Sequence, residues 1–299
     1  MNITKRLPIT VAGLILALLS LGNLLHDINP GIKYFLGMIS AILIILLVVK
    51  AITYPKDIKD DFKNPVTASS SGTFSMSLML LSTYTLGFMP TISQGIWIIG
   101  IGLHILLMIY FTYHFIIRDF DILAVNPTYW IVYVGISMGA VTAPFHGLNK
   151  IGTACIIIGF ASMLITLPLI TYRHIKYPDI SDANKPTTCI YTALFSILIV
   201  GYLNSAPKIY PEFLMALYCI ACIFYIFAFY KLVEYRTLEF YPSFSAFTFP
   251  FVISALATKG VIKIAGENLI LSSILTIETL ISVITVFYVI TEYVNFLKK

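Results

Sequence analysis

The sequence predicts an all-α integral membrane protein with ten transmembrane helices in five tandem hairpins, the five odd helices forming an inner ring around a pore. Three observations predict it. Hydrophobic residues make up 59% of the 299 and charged residues 11%, against about 45–50% and about 25% in an ordinary soluble domain. The apolar residues fall in long unbroken runs, which excludes a membrane β-barrel, whose strands are short and alternate apolar with polar. Five prolines recur at near-constant separation. The whole chain, 1–299, reads as one transmembrane domain.

The spans lie near 8–26, 31–53, 66–87, 94–117, 128–146, 151–173, 187–205, 211–233, 242–260 and 268–296, each long enough for a hydrocarbon core that takes about 20 helical residues. The first follows Lys5 and Arg6 and has no small-x-small cleavage site at its end, so it is a span and not a removable signal. Pro8 opens that first helix, Pro65 the third, Pro127 the fifth, Pro186 the seventh and Pro242 the ninth, at separations of 57, 62, 59 and 56 residues. Proline suits the first helical turn, where its missing N–H costs nothing. Five such starts at one period indicate five tandem repeats, each a helical hairpin. Odd helices are rich in Gly, Ser, Thr and Pro, whereas even ones carry runs such as IWIIGIGLHILLMIYF. Small polar residues seek a protein or water neighbour and large apolar ones tolerate lipid, which puts the odd helices inside.

Connections alternate in charge. One side holds fourteen Lys and Arg and the other five, Lys33, Lys150, Lys208, Lys259 and Lys263. Both termini are therefore expected in the cytoplasm, with the protein in the plasma (inner) membrane. This placement accounts for the net charge of +5 without a nucleic-acid partner. The four cysteines fall in apolar stretches and read as packing residues.

The expected lining of the ring is hydroxylated: Thr67, Ser70 and Thr73 on the third helix, Ser137 on the fifth, Thr192 and Ser196 on the seventh, Thr248 on the ninth. For any one of them, a bond back to its own helix is the simpler reading; the set together favours a polar conduit. Such a conduit has no carboxylate to hold a cation, while hydroxyls and proline-freed N–H groups share an anion's charge. In YPSFSAFTFPF (241–251), Pro250 is expected to kink the ninth helix, by removing a hydrogen bond and crowding the carbonyl of Ala246.

The stretches YPSFSAFTFPF with ALAT, NPVTASSSGTF, PTYWIVYVGIS with VTAP, and PTTCIYTALFSILIVGYLNS resemble the tellurite-resistance and dicarboxylate transporter family, which includes the plant guard-cell slow anion channels. The resemblance spans essentially the whole chain. It implies a homotrimer whose protomers each have ten helices around their own pore, and a phenylalanine of the ninth helix blocking it. Phe249 is the expected gate, with Phe247 in reserve, while Phe244 and Phe251 read as packing residues. Members of that family move small inorganic anions or dicarboxylates.

Glu278, in the middle of the tenth helix, reads as a buried pairing or trimer contact, His104 and His114 as packing residues, and Trp97, Trp130 and Tyr288 as interfacial anchors. His146 is a candidate for tuning pore entry by pH. The sequence has no nucleotide loop, metal-ligand cluster or nucleophile paired with a base, so neither a cofactor, a metal nor an enzyme is expected. An anion channel or uniporter is the leading reading. The alternative is a proton-coupled dicarboxylate, sulfite or tellurite carrier of the same fold.

Overall fold

A single turn, α1 (Ile3–Arg6), precedes α2 (Val11–Leu24), after which the chain crosses to the long α3 (Pro30–Thr53) and the short α4 (Pro55–Asp61). The next polar-rich stretch comes in two pieces, α5 (Pro65–Ser70) and α6 (Gly72–Thr85), followed by α7 (Pro90–Phe111), which widens into a π-helical segment at Thr112–Arg118. Then come α8 (Tyr129–Tyr133), α9 (Ser137–Thr142), a 3-10 turn at Ala143–His146, and the long α10 (Asn149–Lys176). Further 3-10 turns, Lys185–Cys189 and Pro242–Phe247, lead into α11 (Ile190–Ser205) and α13 (Phe249–Ala265), which are followed by α12 (Pro211–Tyr235) and α14 (Leu269–Lys298) respectively. The computed structural model describes residues 3–298, and among them there is no strand.

Among the described residues seven helical segments are long and apolar enough to cross a membrane, and α2 is a shorter apolar helix. This is a multi-pass membrane protein. The expected spans 8–26, 66–87 and 128–146 are short or interrupted helices instead of continuous ones. Their composition explains the difference. Ser and Thr side chains bond to carbonyls three or four residues back, as Ser70 does to Val66 at 2.7 Å and Thr73 to Ser70 at 2.7 Å, which loosens and bends a helix. Gly135 lies in the turn between α8 and α9, where its N–H reaches the carbonyl of Trp130 at 2.9 Å. A Cβ there would overlap the carbonyl oxygen of Ile131 and come 2.9 Å from Met76 Sδ, so the turn needs glycine.

Helix starts follow ordinary capping chemistry. Asn64 accepts from the N–H groups of Val66 and Thr67 at 2.9 and 3.1 Å, with Pro65 at the first helical position, where its missing donor is harmless. Asn29 and Pro30 do the same for α3.

Helix α2 packs on α6, α6 on α9, α9 on α11, α11 on α13, and α13 on α2 again. The five close a ring. Each also packs on the long helix that follows it: α3, α7, α10, α12 and α14. Buried side chains fill α2 and α11 almost entirely, whereas the long helices bury one stripe and expose Ile, Leu and Phe elsewhere. That stripe carries buried polar groups as well. His104 on α7 is fully buried, bonded to Ser75 Oγ at 2.7 Å and the Val132 carbonyl at 3.1 Å. Trp97 is buried as well, its indole N–H donating to Thr142 Oγ1 at 2.8 Å. Trp130 packs edge-on against Tyr191 at 4.6 Å. The interfacial role expected for both tryptophans is therefore corrected: each finds its polar partner or its ring contact inside the protein.

Candidate functional site

The site is built from the two ends of the ring. One cavity is bordered by the N-terminal parts of all five inner stretches, through Thr10 and Gly13, Ser70 and Thr73, Trp130 and Gly135, Thr187 and Ile197, and Ser243, Phe249 and Pro250. The C-terminal parts of the same stretches, with Lys33 of α3, border a second cavity. The inner stretches therefore run parallel. The first cavity has about 70 Å³ of water-accessible space and the second about 490 Å³. Since one water needs about 10–15 Å³, the first has room for a few waters or a small, partly dehydrated ion.

The wall between the cavities is thin. Pro250 borders one and Ile253 the other; the same holds for Gly135 and Met138, Ile197 and Val200, and Met76 and Leu80. Steps of three or four residues amount to about one helical turn, about 5 Å. Phe249 is in that layer. It borders the first cavity and is 7% exposed.

The other three phenylalanines of the stretch are fully buried and ring-packed: Phe244 against Phe247 at 4.9 Å and Phe240 at 5.3 Å, Phe251 against Tyr225 at 5.5 Å. Phe247 is thus placed away from the cavity in this conformation. The kink expected within a continuous ninth helix is a break. Residues 242–247 form a 3-10 turn, Thr248 leaves helical geometry at φ −107° and ψ −82°, and Pro250 lies in the first turn of α13. Proline is better tolerated at a helix start than inside one, so the chain restarts the helix instead of bending it.

Of the hydroxyls expected to line the conduit, Ser70 and Thr73 border the first cavity. Thr67 is half-buried near the start of α5 and is not part of the lining. Thr192 and Ser196 face α13, bonded to Ser254 Oγ at 2.9 and 3.0 Å. Thr248 donates to the Ser245 carbonyl at 2.6 Å, and Ser137 is buried beside Gly159 of α10. Ser70 and Thr73 donate their hydrogens to their own backbone, so toward the cavity they present lone pairs. The free donors are elsewhere: the Trp130 indole N–H and the Ser243 hydroxyl, both of residues bordering the cavity, have no partner. An indole nitrogen donates only. Ser243 belongs to the hydroxyls that the sequence places on the ninth helix, whereas Trp130 was read as an interfacial anchor, and Thr10 and Gly13 of the first inner helix were missed, although ring closure requires a contribution from that helix.

Charge is confined to the second cavity, bordered by Lys33, Lys259, Lys263, His26 and Asp27. The Lys259 ammonium is 2.8 Å from Asp27 Oδ2 and holds that carboxyl below the usual carboxylate range. His146 lies behind the wall, 2.8 Å from Ser82 Oγ, with its ring 5.9 Å from that of Trp97. Glu278 is buried on α14 and accepts from Thr258 Oγ1 of α13, which Tyr218 of α12 approaches at 3.1 Å. The described residues contain no group of three or more His, Cys, Asp or Glu placed to hold a metal.

A family model described as "SLAC1: Voltage-dependent anion channel" matches residues 6–294. The chain is also 24% identical over 276 residues to an uncharacterized transporter of Methanocaldococcus jannaschii, across 83% of this chain and 79% of that protein.

Proposed function

The chain belongs to the voltage-dependent anion channel family, and from that premise we propose that it is a passive anion pathway, a channel or uniporter, whose conduit is the axis of the inner ring in each protomer. The observation that carries the proposal is the pair of cavities on one axis, bordered by the same five stretches and parted by about one turn at Phe249. Free N–H and O–H donors at the first cavity and three lysines at the second suit an anion and repel a cation. Phe249 is the gate, since a ring in a one-turn seal excludes water. Pro250, next to it in the first turn of α13, fixes where the ring stands.

Five parallel inner stretches need five returns, and the long helix after each supplies one. The reading is therefore ten crossings in five hairpins, with the N-terminal cavity facing the cytoplasm, where the basic connections lie. The apolar outer surface faces the plasma membrane lipid and, in a homotrimer, two further copies. Small inorganic anions or dicarboxylates are the cargo. A proton-coupled dicarboxylate, sulfite or tellurite carrier is the second reading, favoured by the Glu278 carboxyl hydrogen-bonded to the gate-bearing α13.

The test is purified protein in liposomes, with chloride, nitrate, sulfite, malate and tellurite offered with and without a pH gradient. Electrogenic flux of at least one anion without a pH gradient supports the channel. Flux only with a proton gradient supports the carrier, and no flux of any of the five refutes both.

A further inference from the structure

The C-terminal cavity is more than a mouth. Its border includes three lysines against one aspartate, together with Ser20, Asn23 and Asn204. Lys259 and Lys263 are four residues apart on α13, hence neighbours on one face, and Lys33 lies 4.9 Å above the Tyr84 ring, without a carboxylate partner. Ser20 is only 1% exposed, and its hydroxyl has no hydrogen-bond partner. A buried, unpartnered donor on the wall of a cavity with excess positive charge is the half of a hydrogen bond that a ligand completes.

One anion is already there. Asp27, from the loop between α2 and α3, reaches across to Lys259 of α13 with its own side chain 70% exposed. That lysine also donates to the Leu24 carbonyl at 3.2 Å. Its ammonium is thus anchored, while the carboxylate is free to leave.

We propose that the C-terminal vestibule is an anion-binding site for carboxylate and oxyanion groups, and that Asp27 is a tethered occupant which the incoming anion displaces from Lys259. The site makes an anion arriving from the outside exchange one carboxylate for another at Lys259, while Lys263, Lys33 and the Ser20 hydroxyl supply contacts that Asp27 does not fill. Its physiological meaning rests on the reading of the ring as an anion pathway, though binding itself does not depend on transport.

The experiment is calorimetric titration of the detergent-purified protein with succinate and with chloride, at fixed ionic strength, alongside liposome flux of the same two anions. Asp27→Asn is expected to tighten succinate about two- to fivefold, the range that loss of an exposed ion pair allows. Lys263→Gln, at an exposed position, and Ser20→Ala are each expected to weaken it at least threefold. Lys259→Gln is expected to weaken it further and to abolish the effect of Asp27→Asn in the double variant. An unchanged succinate affinity in Asp27→Asn, or in both Lys263→Gln and Ser20→Ala, overturns the site. So does equal tightening of chloride and succinate that vanishes at high salt, which is long-range attraction alone. Flux without saturable binding overturns the site and leaves the pathway; saturable binding in a protein that passes none of the anions offered in the flux test keeps the site and overturns the pathway.

Discussion

The inner and outer layers of this protein are both apolar helices, yet they solve different problems. In the stretches Lys185–Ser205 and Pro242–Ala265, 89% and 72% of the most apolar window is buried, whereas in Pro211–Tyr235 and Leu269–Lys298 the share is 28%. The outer helices meet lipid over most of their surface, and lipid asks only for apolarity and an unbroken backbone ladder. They are long and continuous accordingly, with a π-helical end at Thr112–Arg118 on α7 and Pro168 inside α10 as departures from regularity. Inner helices meet only protein and cavity, so their backbones break at Ser71, Gly135 and Thr248, where hydroxyls, turns or cavity space satisfy the freed groups. The difference teaches that splitting of a span into separate helical pieces marks proximity to the axis in this fold.

Removing the ring at the seal separates the layers most sharply. Phe249→Ala is expected to raise anion flux in liposomes more than tenfold, since it opens the one-turn wall between the cavities, while Phe251→Ala, whose ring packs on outer-layer Tyr225, leaves flux within twofold. Flux that rises in Phe247→Ala and not in Phe249→Ala would move the gate by two residues. Size-exclusion profiles identical to wild type are the control for folding.

Next in size is a methyl group. Gly135→Ala places a Cβ against the Ile131 carbonyl and Met76 and is expected to cost about 1–3 kcal/mol, as overpacking does, seen as a lower melting temperature in detergent. On outer helix α7 the same change at Gly102 meets open space. Gly102→Ala should leave melting unchanged or raise it, since glycine is the weaker helix former. Equal losses at the two positions would erase the distinction between layers.

A smaller effect is expected of Thr192→Val, which keeps the shape and removes the hydroxyl bridging α11 to Ser254 of α13. Hydrogen bonds between membrane helices are worth about 0.6 kcal/mol on average. The melting temperature should therefore fall by only a degree or two. A fall as large as that of Gly135→Ala would show that the hydroxyl does more than join two helices.

The layers also differ in how well the sequence displays them. Outer helices were legible to within about four residues, as 211–233 against Pro211–Tyr235 and 94–117 against a helix that starts at Pro90, because lipid imposes one rule at every position. Some helix starts were legible for the same reason: Pro65 opens α5, and Pro186 and Pro242 lie in the first turns of their 3-10 segments, positions that need no donor. Which hydroxyl faces the axis was not legible. Ser70 and Thr192 look alike in sequence, yet one borders a cavity and the other is held by Ser254, a choice made by the rotation of each broken piece against its neighbours. Trp97 and Trp130 misled for a related reason: amphipathic rings suit a membrane interface and a buried polar contact equally, and only the tertiary partner, Thr142 or Tyr191, decides.

Glu278 is where the two layers touch through a carboxyl, and it yields the smallest expected effect. Its side chain is 4% exposed, on an outer helix whose other face meets lipid. Its recorded partner is the Thr258 hydroxyl, with Tyr218 adjoining, and none of the ion pairs among the described residues includes it. A carboxyl held by hydroxyls acts through hydrogen bonding, and a glutamine of nearly the same shape presents an oxygen to accept the same bond. Glu278→Gln should therefore melt within about 0.5 kcal/mol of wild type, because the bond is exchanged and not stranded. Under the channel reading, its anion flux should equal that of wild type at every pH from 5 to 8. Under the carrier reading the same substitution removes the titrating group, so flux driven by a pH gradient disappears while melting stays put. That split between a stable protein and a lost proton dependence would turn the carboxyl from a strut between layers into part of the transport cycle, and would replace the passive pathway with the coupled one.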